Sequence, residues 1–252
     1  CILCTPRETP CLTAEEKKAV KDLIVEVNNG RLPIMMGCGG NNTQAVVNEL
    51  KTGDFKGIDG VLSVCPYYNK PSQEGLYQHF KAIAEASPLP VILYNVPGRT
   101  GINMKAETTV RLARDCENIV AIKEASGSLE QIDEIIKNKP DDFDVLSGDD
   151  ALTFSAVASG AAGAISVIGN ALPKQVSRMI RLEFRGEYEP ARKIHHMFTE
   201  LYKLLFVDGN PAGVKALLSE MGYIENNLRL PLVPTRITTR EKMAQILREL
   251  TI

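Results

Sequence analysis

The chain has 252 residues, 44% of them hydrophobic and 24% charged, with a formal net charge of -2. That is enough apolar material for one large core or two ordinary domains, and it excludes a disordered chain. The near-balanced charge without long Lys/Arg runs gives no electrostatic footprint for nucleic acid or an anionic membrane, and no apolar run reaches bilayer length; small neutral or anionic metabolites remain open as partners.

The chain opens in a strand-like segment, Cys1-Ile2-Leu3-Cys4. Thr13-Ala14-Glu15-Glu16 is a capping box that starts a helix to Asn28, with Gly30 just past its end. Pro33 to Gly37 reads as a strand, Thr43 to Lys51 as a short helix, Asp59 to Val64 as a strand and Gln73 to Glu85 as a helix. Val91 to Tyr94 is a strand bounded by prolines, followed by a helix over Ala106 to Arg114. Ile119 to Lys123 is a strand followed by the helix Leu129 to Lys137. Phe143 to Leu146 leads into Ser147-Gly148-Asp149-Asp150 and a short helix to Ala158; Gly163 to Val167 is the last strand, with a helix over Lys174 to Phe184. The remainder is helical, Glu189 to Phe206, Ala212 to Met221 and Thr239 to Leu250, interrupted by Pro211, Pro231 and Pro234.

This alternation predicts an α/β fold of parallel strands with helical crossovers, seven strand-helix units where a closed (β/α)8 TIM barrel has eight. The expected domains are a barrel over residues 1–186 and a C-terminal helical appendix over 187–252. An open doubly wound sheet is the alternative, but no Gly-rich dinucleotide turn follows the first strand. The six cysteines, at 1, 4, 11, 38, 65 and 116, are scattered, several in apolar runs, as expected of small buried hydrophobes in a reducing cytoplasm. Cys1 and Cys4 have metal-like spacing, but no second Cys/His pair completes a site, and no metal is expected. His79, His195 and His196 are expected to be solvated or to pack.

In such a barrel the chemistry lies where strands end. The residues collected there are Thr5 and Glu8, Gly39 to Asn42, Tyr67 and Tyr68, Tyr94 and Arg99, Lys123, Ser147 to Asp150, and Ile165 with Ser166. A lysine at a strand end ordinarily snorkels into solvent; one kept from water has its pKa pushed toward that of a free amine able to attack a carbonyl. Schiff-base chemistry also needs a weak acid/base such as Tyr94 to move protons, and a hydroxyl relay such as Thr5 with a second tyrosine. Arg99 is suited to clamp a carboxylate with two hydrogen bonds. Singly, each tyrosine reads as packing and Arg99 as a surface ion pair; their coincidence with Lys123 on one rim favours catalysis.

The segments Cys65-Pro66-Tyr67-Tyr68-Asn69-Lys70-Pro71, Tyr94-Asn95-Val96-Pro97-Gly98-Arg99-Thr100-Gly101 and Ile122-Lys123-Glu124-Ala125-Ser126-Gly127 resemble the signatures of the dihydrodipicolinate synthase family, among the pyruvate-dependent class I aldolases of the N-acetylneuraminate lyase superfamily. The likeness runs over nearly the whole chain. It implies a lyase condensing pyruvate with L-aspartate-4-semialdehyde to 4-hydroxy-tetrahydrodipicolinate, in lysine and diaminopimelate biosynthesis, with no cofactor beyond a covalent imine. Carried over, Lys123 matches the imine-forming lysine, and Tyr94, Thr5 and Tyr68 the proton relay, with Tyr68 reaching in from the neighbouring subunit of a dimer. Arg99 matches the semialdehyde-carboxylate site, Ile165 the carbonyl beside the imine, and Gly148 and Thr5 join the substrate-binding residues. Asn41 and Tyr67 match an allosteric lysine site, although Ala14, Lys17 and Ala45 stand where feedback-sensitive members often carry histidines and an acid. The resemblance also implies a homodimer or homotetramer.

Two departures from the family pattern stand out. Cys4-Thr5-Pro6-Arg7-Glu8 replaces the usual Gly-Thr-Thr-Gly-Glu, and Pro6 offers neither hydroxyl nor N–H to a pyruvate carboxylate. The family's first strand and helix have no counterpart, which is expected of a fragment of a longer gene product. The competing readings are a sister aldolase, acting on N-acetylneuraminate or a keto-deoxy sugar acid, against which Arg99 argues, and a catalytically silent barrel kept for assembly.

Overall fold

The computed structural model describes residues 1–4 and 8–250; Thr5, Pro6 and Arg7 lie outside the described residues. Six strands form one parallel sheet in chain order: β1 (Met35–Gly37), β2 (Gly60–Val64), β3 (Val91–Asn95), β4 (Ile119–Glu124), β5 (Asp144–Ser147) and β6 (Gly163–Ala164). The helices are α1 (Ala14–Asn28), α2 (Thr43–Thr52), α3 (Gln73–Ala86), the short α4 (Pro97–Thr100), α5 (Ala106–Asp115), α6 (Leu129–Asn138), α7 (Thr153–Ala158) and α8 (Pro173–Phe184). Four more follow: α9 (Tyr188–Met197), α10 (Thr199–Val207), α11 (Ala212–Glu220) and α12 (Ile237–Glu249). The central strands β2, β3 and β4 are largely buried, as their apolar runs require of parallel strands covered on both faces.

Strand residues alternate between two cores. Val61, Leu93, Ile122 and Val145 pack outward with Phe80, Ile83, Leu112 and Ile135 of the crossover helices. Leu62, Ile92, Tyr94 and Ala121 share the opposite, inner face. By the same alternation Lys123 falls on the inner face of β4 and Glu124 on the outer. This is a parallel half-barrel whose strand ends carry the loops singled out above.

Local chemistry sets the helix starts. Thr13 and Glu16 form the reciprocal capping box, Glu16 N–H donating to Thr13 Oγ1 at 3.2 Å and Thr13 N–H to Glu16 Oε2 at 2.9 Å. Asn42, Ser72 and Ser128 cap α2, α3 and α6 one way, each side-chain oxygen accepting from the backbone N–H three residues on.

Four expectations need correction. The opening segment is no strand: Ile2 makes a single parallel bridge to Met36, and Leu3 turns at a left-handed φ of 51°. That turn brings Cys1 and Cys4 to a Cα separation of 6.5 Å, and they are joined by a disulfide rather than being free thiols; Cys38, Cys65 and Cys116 are buried thiols as expected. The last strand stops at Ala164, because the N–H groups of Val167 and Ile168 donate to Asp150 Oδ2 at 3.0 and 2.8 Å instead of to a neighbouring strand. The helix expected over Glu189 to Phe206 is two helices meeting at the fully buried Phe198, where Thr199 Oγ1 donates back to the His196 carbonyl at 3.1 Å and bends the chain. Two histidines pack: His79 is buried with Nδ1 2.8 Å from Thr43 Oγ1, and His195 stacks on Phe154. No helix among the described residues is long and apolar enough to cross a membrane.

The opening segment is held from the far end of the chain. Glu8 accepts hydrogen bonds from Lys215 Nζ of α11 and, at 2.7 Å, from the backbone N–H of Arg229. Arg229 also grips Glu16 at the start of α1 through two hydrogen bonds of 2.7 Å. Burial raises the Glu8 pKa, but the Lys215 ammonium and the Arg229 N–H outweigh it and hold the carboxyl below its ordinary value. A carboxyl with a lowered native pKa stabilises the fold above its ordinary value of 4.5, and that contribution is lost as pH falls through the native pKa. Lys215→Met is therefore expected to lower unfolding free energy by about 1.5–3 kcal/mol at neutral pH, with the gap from the parent narrowing below pH 4.5; urea titrations at several pH values measure it.

Candidate active site

Tyr94 and Lys123 are register partners on adjacent parallel strands. Both point inward at the carboxyl ends of β3 and β4, and Lys123 Nζ lies 4.1 Å from the centroid of the Tyr94 ring. Lys123 is only 2% exposed. Burial pushes its ammonium down to about 8; the Asp150 carboxyl works against that and the Arg99 guanidinium works with it. The side chain does not snorkel, and at pH 7 about a tenth of it is nucleophilic free amine, against less than a thousandth at its ordinary pKa of 10.5.

Behind this pair lies a polar layer that the sequence reading passed over. Asn95 and Glu124, the residues after Tyr94 and Lys123, are also register partners. Both are fully buried on the outer face. Asn95 Nδ2 donates to Glu124 Oε1 and Oε2 at 3.2 and 3.0 Å, and Gln131 Nε2 of α6 donates to Oε2 at 3.0 Å. The Ser126 N–H closes the group on Oε1 at 2.6 Å. Burial holds the Glu124 carboxyl above its usual range against these bonds. The available signal was strand alternation: polar residues beside Tyr94 and Lys123 have to face the helices, where they need partners.

The loop after β5 closes over the lysine. Gly148 N–H donates to the Glu124 carbonyl at 2.7 Å. A Cβ on Gly148 would stand 3.0 Å from Lys123 Cε and Cγ and 2.8 Å from Ala125 Cβ, so only glycine fits. Asp150, which the sequence reading placed on the rim without a role, ties this loop to Val167 and Ile168. Burial raises its pKa, opposed by hydrogen bonds from Ser166, Ile168 and Val167. Ile165 donates its N–H to the Ser147 carbonyl at 2.9 Å and packs against the inner cluster that holds Tyr94.

A cavity of about 870 Å³ opens beside Tyr94, with Arg99, Thr9, Tyr67, Asn210 and Leu232 among its walls. Tyr94 lines it; Lys123, whose Nζ lies against the Tyr94 ring, does not. The guanidinium of Arg99, on α4, makes one hydrogen bond among the described residues, from NH2 to the Asn210 carbonyl at 3.1 Å. Asn41 Nδ2 donates to the Tyr67 carbonyl at 3.1 Å, so the two residues expected at an allosteric site do adjoin. Ala14 and Lys17 line the cavity as well.

Lys123, Tyr94 and Gly148 are thus assembled in one place, with Ile165 against the same inner cluster and Arg99 at the cavity. Tyr68 is not brought to them: it sits at φ 74° and is 90% exposed. Thr5 lies outside the described residues. Among the described residues no group of three or more His, Cys, Asp or Glu is placed to hold a metal ion.

The family model for the dihydrodipicolinate synthetase family matches residues 1–250. The chain is 66% identical over 252 residues to the 4-hydroxy-tetrahydrodipicolinate synthase of Phocaeicola vulgatus, covering 100% of this chain and 85% of that protein. It is similar in structure to the dihydrodipicolinate synthase of Thermotoga maritima, with a TM-score of 0.95 and 43% identity over 98% of this chain and 85% of that one. It also superposes on the chloride-inhibited dihydrodipicolinate synthase of Acinetobacter baumannii solved with pyruvate, with a TM-score of 0.93 and 41% identity, covering 98% of this chain and 84% of the other.

The buried ammonium makes opposite demands on stability and reactivity. Native Lys123 releases its proton near 8 and the unfolded chain near 10.5, so between those values the unfolded state binds more protons and stability rises with pH. Below 8 both states are protonated and the fold carries the full penalty, about 3 kcal/mol. Lys123→Met is expected to form no imine, to be more stable than the parent by that order at neutral pH, and to lose the parent's rise in stability between 8 and 10.5. Denaturation at stepped pH reads this directly.

Proposed function

The chain belongs to the dihydrodipicolinate synthetase family, a lyase of the 4-hydroxy-tetrahydrodipicolinate synthase type that condenses pyruvate with L-aspartate-4-semialdehyde in lysine and diaminopimelate biosynthesis, and from that premise we propose how its residues divide the work. The observation that carries the assignment is the desolvated Lys123 amine lying on the Tyr94 ring.

The Lys123 amine adds to the keto carbon of pyruvate, giving a carbinolamine that loses water to the imine. Tyr94 carries the protons: it protonates the departing hydroxyl and, as phenolate, takes a proton from the methyl carbon to give the enamine. The enamine carbon forms the new bond to the semialdehyde carbon, whose oxygen takes a proton. Attack of the semialdehyde's own amine on the imine carbon closes the ring and frees Lys123 for another turnover. Arg99 at the cavity supports a carboxylate clamp, because its guanidinium keeps donors beyond the one engaged with the Asn210 carbonyl. Gly148 leaves room for the amine, and the Ile165 carbonyl and Thr5 complete the pyruvate side. The group that forms the covalent intermediate belongs to the chain itself, so no cofactor is invoked. We place the enzyme in the cytoplasm and its strands in a (β/α)8 barrel, as the parallel half-barrel and the structural relatives support.

Borohydride reduction in the presence of pyruvate is expected to add a three-carbon unit at Lys123; a folded sample left without adduct overturns the assignment. Arg99→Ala is expected to raise the Michaelis constant for the semialdehyde by about 10- to 100-fold, the worth of a charged hydrogen bond, and that for pyruvate far less. Equal turnover with N-acetylneuraminate would instead favour a sister aldolase.

The exposed Tyr68 supports a subunit arrangement in which each copy lends this hydroxyl to its neighbour's relay. Mixing inactive Tyr68→Phe and Lys123→Ala chains is then expected to restore about a quarter of the parental activity per site, since a mixed dimer keeps one intact site. No recovery after subunit exchange excludes the shared relay.

A further inference from the structure

Two residues carry the reaction on the inner face of β3 and β4, and directly behind them on the outer face lies a carboxylate to which no role in it has been given. Glu124 follows Lys123 and Asn95 follows Tyr94, so any movement of the outer pair is transmitted through a single peptide unit to the inner pair. Three neutral donors converge on the Glu124 carboxylate from three elements: Asn95 of β3, Gln131 of α6 and the Ser126 N–H of the loop after β4. None of the ion pairs among the described residues includes Glu124. A buried carboxylate without a cation is an expensive way to fill space, and an apolar side chain would pack there at less cost. What a hydrogen-bonded carboxylate supplies and an apolar group does not is fixed direction.

The network extends to the segment before α5. Asn95 Oδ1 accepts from the Met104 N–H at 3.0 Å, Asn95 Nδ2 donates to Asn103 Oδ1 at 2.7 Å, and Asn103 Nδ2 donates to Gln131 Oε1 at 2.8 Å. Backbone bonds carry the same tie across the strand ends, from Ala125 N–H to the Asn95 carbonyl at 2.9 Å and from Gly148 N–H to the Glu124 carbonyl at 2.7 Å. The loop whose glycine makes room for the amine therefore hangs from the residue that anchors the clamp.

We propose that Glu124 is a positioning residue for the condensation, its carboxylate locking the ends of β3 and β4 through Asn95 and Gln131 so that Lys123 and Tyr94 stay in reacting register. This rests on Lys123 being the imine-forming residue. Glu124→Gln keeps the volume but turns an amide NH2 toward Asn95 Nδ2 or Gln131 Nε2, setting donor against donor.

The folded Glu124→Gln variant is expected to form the borohydride-trapped pyruvate adduct about 10- to 100-fold more slowly than the parent, the scale of a misplacement near 1 Å, with kcat falling in parallel and the Michaelis constant for pyruvate changing far less. Glu124→Gln combined with Gln131→Glu exchanges carboxylate and amide across the same contact and is expected to recover most of the rate, whereas a residue that only stabilises the fold would change the melting temperature and leave the adduct rate per folded chain at the parental value. A parental rate in folded Glu124→Gln overturns the proposal. Should that variant not fold, Gln131→Leu removes one donor, with an expected slowing of about 3- to 10-fold, and a parental rate there overturns it equally. A parent that traps no pyruvate at Lys123 overturns the imine assignment and the clamp together; a parent that traps it beside an unchanged variant overturns the clamp alone.

Discussion

Everything at this site depends on keeping one ammonium group away from water. Lys123 ends an apolar strand whose other inner-face residues are alkyl or aromatic, and a charge in that setting is penalised by the loss of its hydration. The penalty, about 3 kcal/mol against the unfolded chain, is a sizeable part of the net stability of a domain. The same penalty lowers the proton affinity of the amine and makes it a nucleophile. Reactivity and instability at Lys123 are one quantity seen from two sides.

A desolvated amine is useful only if it is also still. The parallel register makes Tyr94 and Lys123 neighbours, and alternation along the strand then compels Asn95 and Glu124 to be neighbours on the opposite face. At the strand ends the inner pair lies among apolar neighbours while the outer pair, Asn95 and Glu124, is hydrogen-bonded to each other and to Gln131. Asp150 does similar work on the next loop, spending its carboxylate on two backbone N–H groups and ending the last strand early. The shortened β6 is thus a consequence of how that loop is held beside the lysine.

Much of the fold was legible because parallel strands are continuous apolar runs and amphipathic helices have a readable period; the Thr13 capping box starts α1, and α3 and α6 begin at Gln73 and Leu129, as expected. What failed was decided by non-local contacts. The end of β6 is set by Asp150, fourteen residues before it, and the break at Phe198 by core packing and the Thr199 hydroxyl, neither of which appears in periodicity. The Cys1–Cys4 disulfide depends on the turn at Leu3, a backbone state that leucine seldom adopts. Lys123, Tyr94 and Arg99 were found through their company, whereas Asn95 and Glu124 were missed because strand-end polar residues look like the start of a loop.

The C-terminal helical region, which reads from sequence as an appendix, lends the cavity part of its wall from the connections between its helices. Asn210 and Leu232 line the cavity, and the Asn210 carbonyl engages the Arg99 guanidinium. Lys215 and Arg229 reach back to Glu8 and to Glu16 in the first turn of α1. The Arg99 guanidinium and the Glu8 carboxyl are therefore both held by residues from the last quarter of the chain. A change in those helices would reach the chemistry without touching the lysine, through the direction of Arg99 on one side and the anchoring of Glu8 on the other.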